Sequence, residues 1–220
     1  LPYLRAVGVR RLHALVVTHQ DNDHAGGAEA VLEGIAVDRV RSSLPENHPV
    51  RLIAGARHRS CLAGLKWEWD GVRFAVLHPL AAGEGAAPRK TNEVACVLRI
   101  EAAGRRLLLT SDIEAASETA LLGRDASSLA SDVLVVPHHG SRTSSTPAFI
   151  AATEPRWVIF PVGYRNRFRH PNPEVWARWS ATGTAMARTD AGGAVIVHLG
   201  AGEPRLETAR ALAPRYWHGR

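Results

Sequence analysis

Within six residues the chain places four side chains of metal-ligand type, His19, Asp21, Asp23 and His24, at the end of an apolar run. Residues 14–17 (ALVV) read as a buried strand, and Gly26-Gly27 followed by residues 28–32 read as a tight turn into a helix. A strand that stops as these groups arrive puts them at the rim of a sheet, where ligands of open α/β sheets gather. Carboxylates and imidazoles this crowded repel one another, or strand polar atoms, unless a cation or solvent satisfies them. A divalent metal is the economical answer. A polar loop capping a helix would account for Asn22 or Asp23, but not for His19 and His24 as well.

One loop cannot close a catalytic site, so further ligands are expected at later strand ends. Residues 106–110 (RLLLT) form a short apolar strand that delivers Ser111-Asp112, and residues 113–122 then have helical spacing. Residues 133–136 (VLVV) form another, ending in Pro137-His138-His139-Gly140-Ser141. Adjacent histidines after a strand point in different directions, so one of the two is expected to bind metal.

Together these residues resemble the metallo-β-lactamase superfamily, and within it the C-terminal nuclease-like domain of ComEC-type DNA-uptake channels. The superfamily pattern is H-x-H-x-D-H, then a glycine-aspartate after a strand, then a histidine in a P-G-H-G-like turn. The counterparts are His19-Gln20-Asp21-Asn22-Asp23-His24, Ser111-Asp112 and Pro137-His138-His139-Gly140. Asp21 at the second ligand position and the His-His-Gly-Ser turn are similar to the ComEC branch. So are residues 166–171 and the run Thr189-Asp190-Ala191-Gly192-Gly193 before a last strand. The resemblance runs from Leu1 to about His198.

The chain departs from that pattern in three places. The third histidine that many members carry between the first loop and the bridging aspartate is absent around Thr91-Asn92, leaving one metal position short of a nitrogen. Ser111 replaces the usual glycine, which adds a side chain where backbone packs closely and is expected to be tolerated. The family's opening hairpin has no counterpart before Leu1. With a first residue other than Met, Met186 as the one methionine, and Leu1-Pro2-Tyr3-Leu4 reading as an internal helix, the chain is expected to be an N-terminally truncated fragment.

The resemblance implies an α/β fold, the metallo-β-lactamase αββα sandwich lacking its first β-hairpin, over residues 1–200; residues 201–220 have weak periodicity and read as a frayed tail. It implies one or two divalent ions, Zn, Mn or Mg. His19 and Asp21 would hold one position and Asp23 and His24 the other, with Asp112 bridging and His139 completing the second. His138 would be a substrate contact or an alternative ligand. Ser141 would offer a hydroxyl or backbone N–H to a phosphate oxygen, and His170 would contact the phosphate, protonate the leaving oxygen or serve as a late ligand. Asp23, His138, Ser141 and His170 are thus the expected catalytic residues. Two cations acidify a bridging water and neutralise a phosphodiester during in-line attack, and the oxygen-rich set softens any preference for zinc.

The implied partner is DNA, single-stranded or the degraded strand of a duplex, together with an upstream transmembrane channel domain of the same protein. That would place the full-length protein in the plasma membrane with this portion extracytoplasmic. Hydrolysis of a lactone, thioester or phosphomonoester is the nearest alternative, because one fold serves many substrates. DNA binding without catalysis is another.

Charge favours a phosphate-bearing partner. The excess of 27 basic over 21 acidic residues is almost wholly arginine, with only Lys66 and Lys90 as lysines, and arginine forks suit phosphate. Genomic base composition could produce the same bias. The run Arg165-Asn166-Arg167-Phe168-Arg169-His170 is more pointed, because it interleaves an aromatic with cations after the strand 157–161 (WVIFP). Arg165, Arg167 and Arg169 are therefore expected substrate contacts; a solvated basic loop is the plainer reading.

At 220 residues the length suits one well-buried domain. No apolar run approaches the roughly 20 residues of a membrane span. Cys61 and Cys96 are too few for a disulfide framework, and Cys96 reads as a small core residue. Asp70-Gly71 marks a two-residue hairpin turn between residues 66–69 and 72–77, with Trp67 and Trp69 alternating toward the core. Residues 80–90, rich in Ala, Gly and Pro, read as a mobile loop near the site, and His78-Pro79 reads as structural. Thr146-Pro147 and Asn172-Pro173 each put a capping residue before a proline at a helix start. Trp176 and Trp179, three apart, are expected on a buried helix face.

Overall fold

Short β-branched runs build the strands, and the polar residues at their ends stop them. The structure, a computed structural model, describes residues 1–81 and 90–216. Residues 82–89, most of the stretch expected to be a mobile loop, lie outside the described residues. The chain divides into two compact units, Leu1–Leu65 with Val76–Val97, and Lys66–Ala75 with Leu98–Arg220.

In the first unit, strands Leu15–Val17, Val40–Ser42 and His58–Ser60 form a parallel sheet in that order, with Leu15 opposite Val40 and Val40 opposite His58. Val17, Val37, Val40, Val50 and Ala54 build its core with Ala25 and Ala28 from the helical segment after the first strand. Val40 and Val50 are fully buried, each removal from water contributing about 1.5–3 kcal/mol. The first strand thus ends at Thr18-His19 with its apolar face already anchored.

Gly26-Gly27 form the expected turn into the helix Ala28–Gly34, and a short helix that was not expected, Asn22–Ala25, precedes them. A Cβ on Gly26 would collide with Asn22, so the turn packs closely on that short helix. One expectation is corrected here. Cys61 and Cys96 are joined in a disulfide with Cα atoms 6.0 Å apart, which replaces the reading of Cys96 as an unbonded core residue. Their backbone N–H groups donate to Ser42 and Thr18, which fixes both close to strand ends.

The second unit carries four parallel strands, Arg105–Leu109, Val133–Val135, Trp157–Phe160 and Ala185–Arg188. Leu109, Val135 and Ile159 are in register, so the residues after these strands emerge level at one edge. Val97–Ala102 pairs antiparallel with Arg105–Leu109. Lys66–Trp69 and Val72–His78 form the expected hairpin, with positive φ at Asp70 (48°) and Gly71 (77°) as a primed two-residue turn requires. Trp67 stacks on Phe74, ring centroids 5.0 Å apart.

Helices Pro147–Thr153 and Pro173–Ser180 begin where the caps predicted. The Thr146 side chain accepts from the Phe149 N–H, and that of Asn172 from the Glu174 N–H. Trp179 is fully buried, while Trp176 is half-buried against Phe160, 5.1 Å between ring centroids. The segment expected to fray instead pairs: Arg205–Thr208 runs antiparallel to Val195–His198, and Ala209–Leu212 is helical. Among the described residues no helix is long and apolar enough to cross a membrane.

Candidate metal centre

The first unit brings His19, Asp21, Asp23 and His24 into one cluster where the strand Leu15–Val17 leads into the short helix Asn22–Ala25, with Asp21 at its N-cap. His19 is fully buried and its ring lies 4.1 Å from that of His24. Thr18 sets the orientation of both. Its hydroxyl lies 3.1 Å from His19 Nδ1 and 3.4 Å from His24 Nδ1. The opposite nitrogens face carboxylates: His19 Nε2 is 3.6 Å from Asp21, and His24 Nε2 is 3.8 Å from Asp23. Sequence reasoning missed Thr18, although a hydroxyl directly before the first histidine was the available signal. Thr91, in the stretch where the resemblance places a third histidine, accepts a hydrogen bond from Gln20 at 3.1 Å.

The second unit assembles its own cluster from the level strand ends. After Arg105–Leu109 comes Asp112, almost fully buried; after Val133–Val135 comes Pro137-His138-His139-Gly140. Both histidines have left-handed backbone angles, φ 47° and 53°, unusual for residues with a Cβ. Both rings consequently meet Asp112 where divergent directions were expected. His139 Nε2 is 3.3 Å and His138 Nε2 3.8 Å from the same carboxylate oxygen.

Outer partners hold each ring. His139 Nδ1 donates to the carbonyl oxygen of Pro161 at 2.7 Å, which commits that nitrogen to its proton and turns Nε2 toward Asp112. His138 Nδ1 lies 3.1 Å from Glu114, and Thr143 bonds the same Glu114 oxygen at 2.9 Å. Glu114 and Thr143 carried no motif. Gly140 has φ 79°, and a Cβ there would lie 2.9 Å from Pro171 and 3.0 Å from the Phe160 ring, so this position needs glycine on both counts.

His170 joins the second cluster, its ring 6.0 Å from that of His138 and 6.4 Å from that of His139. Burial first, then the neighbouring His138 and His139, hold its imidazole below the ordinary histidine range, against an opposing pull from Asp112. Ser141 is turned into the loop. Its N–H donates to the His138 carbonyl at 2.7 Å, and its hydroxyl meets that of Thr143 at 3.1 Å. Arg165, Arg167 and Arg169 lie on the exposed loop that leads to His170.

The donor chemistry in both units fits a divalent cation. His139 Nε2 and the buried Asp112 carboxylate present two ligand-type atoms 3.3 Å apart, and imidazole with carboxylate is the set that zinc and manganese accept.

The Metallo-beta-lactamase superfamily matches this chain over residues 1–59, the span that contains the first histidine and aspartate cluster. Competence protein ComA of Neisseria gonorrhoeae is 39% identical over 220 residues, covering 99% of this chain and 29% of that protein. This chain belongs to the metallo-beta-lactamase superfamily. It is homologous to ComA/ComEC-type competence proteins within it. Recombination protein 2 of Haemophilus influenzae is 31% identical over 98% of the chain and 26% of its own length. ComE operon protein 3 of Bacillus subtilis is 30% identical over 89% and 26%. The chain therefore spans less than a third of these relatives.

Solved structures show the same superfamily fold. The metallo-beta-lactamase fold protein YhfI of Bacillus subtilis aligns with a TM-score of 0.50 at 8% identity, covering 84% of this chain and 78% of its own. CmlA, a diiron beta-hydroxylase from Streptomyces venezuelae, aligns at 0.51 and 13%, covering 90% and 45%. The alpha/beta metallo-beta-lactamase fold is thus present, with mixed sheets and flanking helices.

Proposed function

We propose that this chain is a metal-dependent phosphodiesterase that degrades one DNA strand during uptake. The observation that carries the reading is the His139–Asp112 pair, in which the Pro161 carbonyl accepts a hydrogen bond from Nδ1 and Nε2 is turned toward a buried carboxylate 3.3 Å away. The fold alone does not select this chemistry, because it also carries a diiron beta-hydroxylase. The competence relatives and the arginine-rich loop favour a nucleic-acid phosphodiester.

In this reading one or two divalent ions, Zn, Mn or Mg, are bound, with His19, Asp21, Asp23 and His24 as the ligands the first unit offers and Asp112 and His139 those of the second. A bound ion supplies Lewis acidity toward a phosphoryl oxygen and lowers the pKa of a water. Thr18, Glu114 and the Pro161 carbonyl orient the imidazoles. His138 contacts substrate, with Glu114 holding its Nδ1. His170, kept neutral by burial, offers a ring N–H to a phosphate oxygen, and Arg165, Arg167 and Arg169 grip backbone phosphates. Ser141 braces the turn that presents His138.

The longer protein of which the relatives are examples would hold this portion outside the cytoplasm beside a membrane channel domain. The Cys61–Cys96 disulfide supports an oxidising compartment.

One observation favours a second reading, DNA binding without cleavage: where a third histidine would supply a nitrogen, Thr91 is instead engaged by Gln20. Labelled single- and double-stranded DNA, incubated with chelator-stripped protein and added Mn, Zn or Mg, separates the two. Cleavage that needs the ion and disappears in Asp23→Ala and Asp112→Ala supports the hydrolase. Unchanged cleavage by either variant would remove the nuclease proposal, and salt-sensitive binding without any cleavage would select the second reading.

A further inference from the structure

The strand Trp157–Phe160 and the helix Pro173–Ser180 are joined by a loop whose construction goes beyond a basic patch. Asn166 closes it on itself. The side-chain amide donates to the carbonyl oxygens of Gly163 and His170, at 3.3 and 2.9 Å, and the side-chain oxygen accepts from the His170 N–H at 2.8 Å. With the loop fixed from inside, its aromatic rings are held outward: Tyr164 is 69% exposed and Phe168 65%. Large rings gain free energy by leaving water, so a closed loop that keeps two of them out presents them to something else.

Cations stand beside both rings. The Arg165 guanidinium is 5.2 Å from the Tyr164 centroid, and that of Arg167 is 4.8 Å from Phe168. Arg165 and Arg169 have φ 52° and 56°, positions where glycine would be easier on the backbone, yet each carries a charge. Phe168 also lies nearly parallel to His170, centroids 5.9 Å apart at 19°, and His170 relates to His139 at 6.4 Å and 20°. A row of rings therefore leads from the exposed tip to a candidate metal ligand within one unit.

We infer that Tyr164 and Phe168 are stacking platforms for unpaired bases, and that the ligand of this loop is single-stranded nucleic acid. The inference rests on the phosphodiesterase reading and narrows its substrate. Duplex DNA keeps its base faces inside the stack, so its phosphates could meet the arginines but its bases could not meet the rings. A single strand offers both in alternation, as the loop does. A protein or lipid partner would need no such alternation of ring and cation.

The test is binding of a labelled oligothymidylate and of a blunt-ended duplex, measured by fluorescence anisotropy in the presence of EDTA, where no metal-dependent cleavage occurs. Tyr164→Ala and Phe168→Ala are each expected to weaken single-strand binding about five- to 150-fold, the range for loss of one base–ring stack, with duplex binding little changed. Phe168→Trp keeps the platform and is expected to retain single-strand affinity, whereas Arg167→Ala weakens both ligands. Equal losses on both ligands in the alanine variants, or no loss on either, would overturn the inference. A selective loss in a protein that never cleaves DNA would uphold the platform and sink the hydrolase. Metal-dependent cleavage with no selective loss would do the reverse.

Discussion

The backbone N–H of His138 donates to the carbonyl oxygen of Ser111 at 3.0 Å, tying together the tips of two neighbouring parallel strands through residues that both have positive φ, 47° and 51°. The strained turn that follows continues through His139 to Gly140, so the presentation of both imidazoles to Asp112 depends on backbone held away from its ordinary minima. Gly140→Ala would add a Cβ against Pro171 and Phe160 at a left-handed position. It is expected to cost about 1–3 kcal/mol of stability and to weaken metal binding, as read by denaturant titration and calorimetry. A variant as stable as the parent would show that the turn has room the structure denies.

Thr18 meets Nδ1 of both His19 and His24. Removing an outer partner of a metal-binding imidazole typically costs about 10–100-fold in metal affinity. Thr18→Val, nearly the same shape, is therefore expected to lower affinity in that range while the melting temperature of the metal-free protein moves little. Undiminished affinity would mean that packing alone orients the two rings.

Glu118 is fully buried, and its carboxylate accepts from the N–H groups of Ser145 and Thr146 at the start of the helix after the histidine turn. Burial raises its pKa above the usual carboxylate value, opposed by those hydrogen bonds and by Arg178. A carboxyl group whose folded pKa is raised binds its proton more tightly folded than unfolded. Its contribution is fully present below the unfolded pKa and is lost as pH rises through the folded one. Across that interval the parent should lose stability relative to Glu118→Gln, which does not titrate. Denaturant midpoints of both proteins over a pH series check this; a difference that does not vary with pH would contradict it.

The Cys61–Cys96 bond closes a sequence separation of 35 residues, for which chain-entropy reasoning gives a stabilisation of about 3–4 kcal/mol. Reduction, or Cys61→Ser with Cys96→Ser, should lower stability by about that amount, or less if the reduced chain keeps residual structure. Unfolding curves with and without a thiol reductant measure it. Coincident curves would show that the bond does not hold the first unit together.

Local pattern made much of this legible. The runs RLLLT and VLVV announced strands that stop at Asp112 and at the histidine pair, and Thr146-Pro147 and Asn172-Pro173 announced their helices, because a cap and a fixed φ act within a few residues. Contacts between distant residues were not legible. Glu114 reaches His138, Glu118 reaches Thr146 and Cys61 reaches Cys96 only after the chain has folded. Gly26-Gly27 announced the turn before Ala28–Gly34, but not the short helix Asn22–Ala25 packed against it. The strand Arg205–Thr208 was missed because its run RLET holds a single large apolar residue, Leu206, and its pairing with Val195–His198 forms only when the chain folds back.

The central claim is that the aspartates and histidines of the two clusters bind a divalent ion. Metal titration of the chelator-stripped protein by calorimetry, with elemental analysis of the bound fraction, tests it most directly. One or two ions bound per chain in the parent, with binding lost or weakened at least about tenfold in Asp23→Ala, Asp112→Ala and His139→Ala, is the predicted result. No stoichiometric uptake by the parent, or undiminished uptake by all three variants, would contradict it.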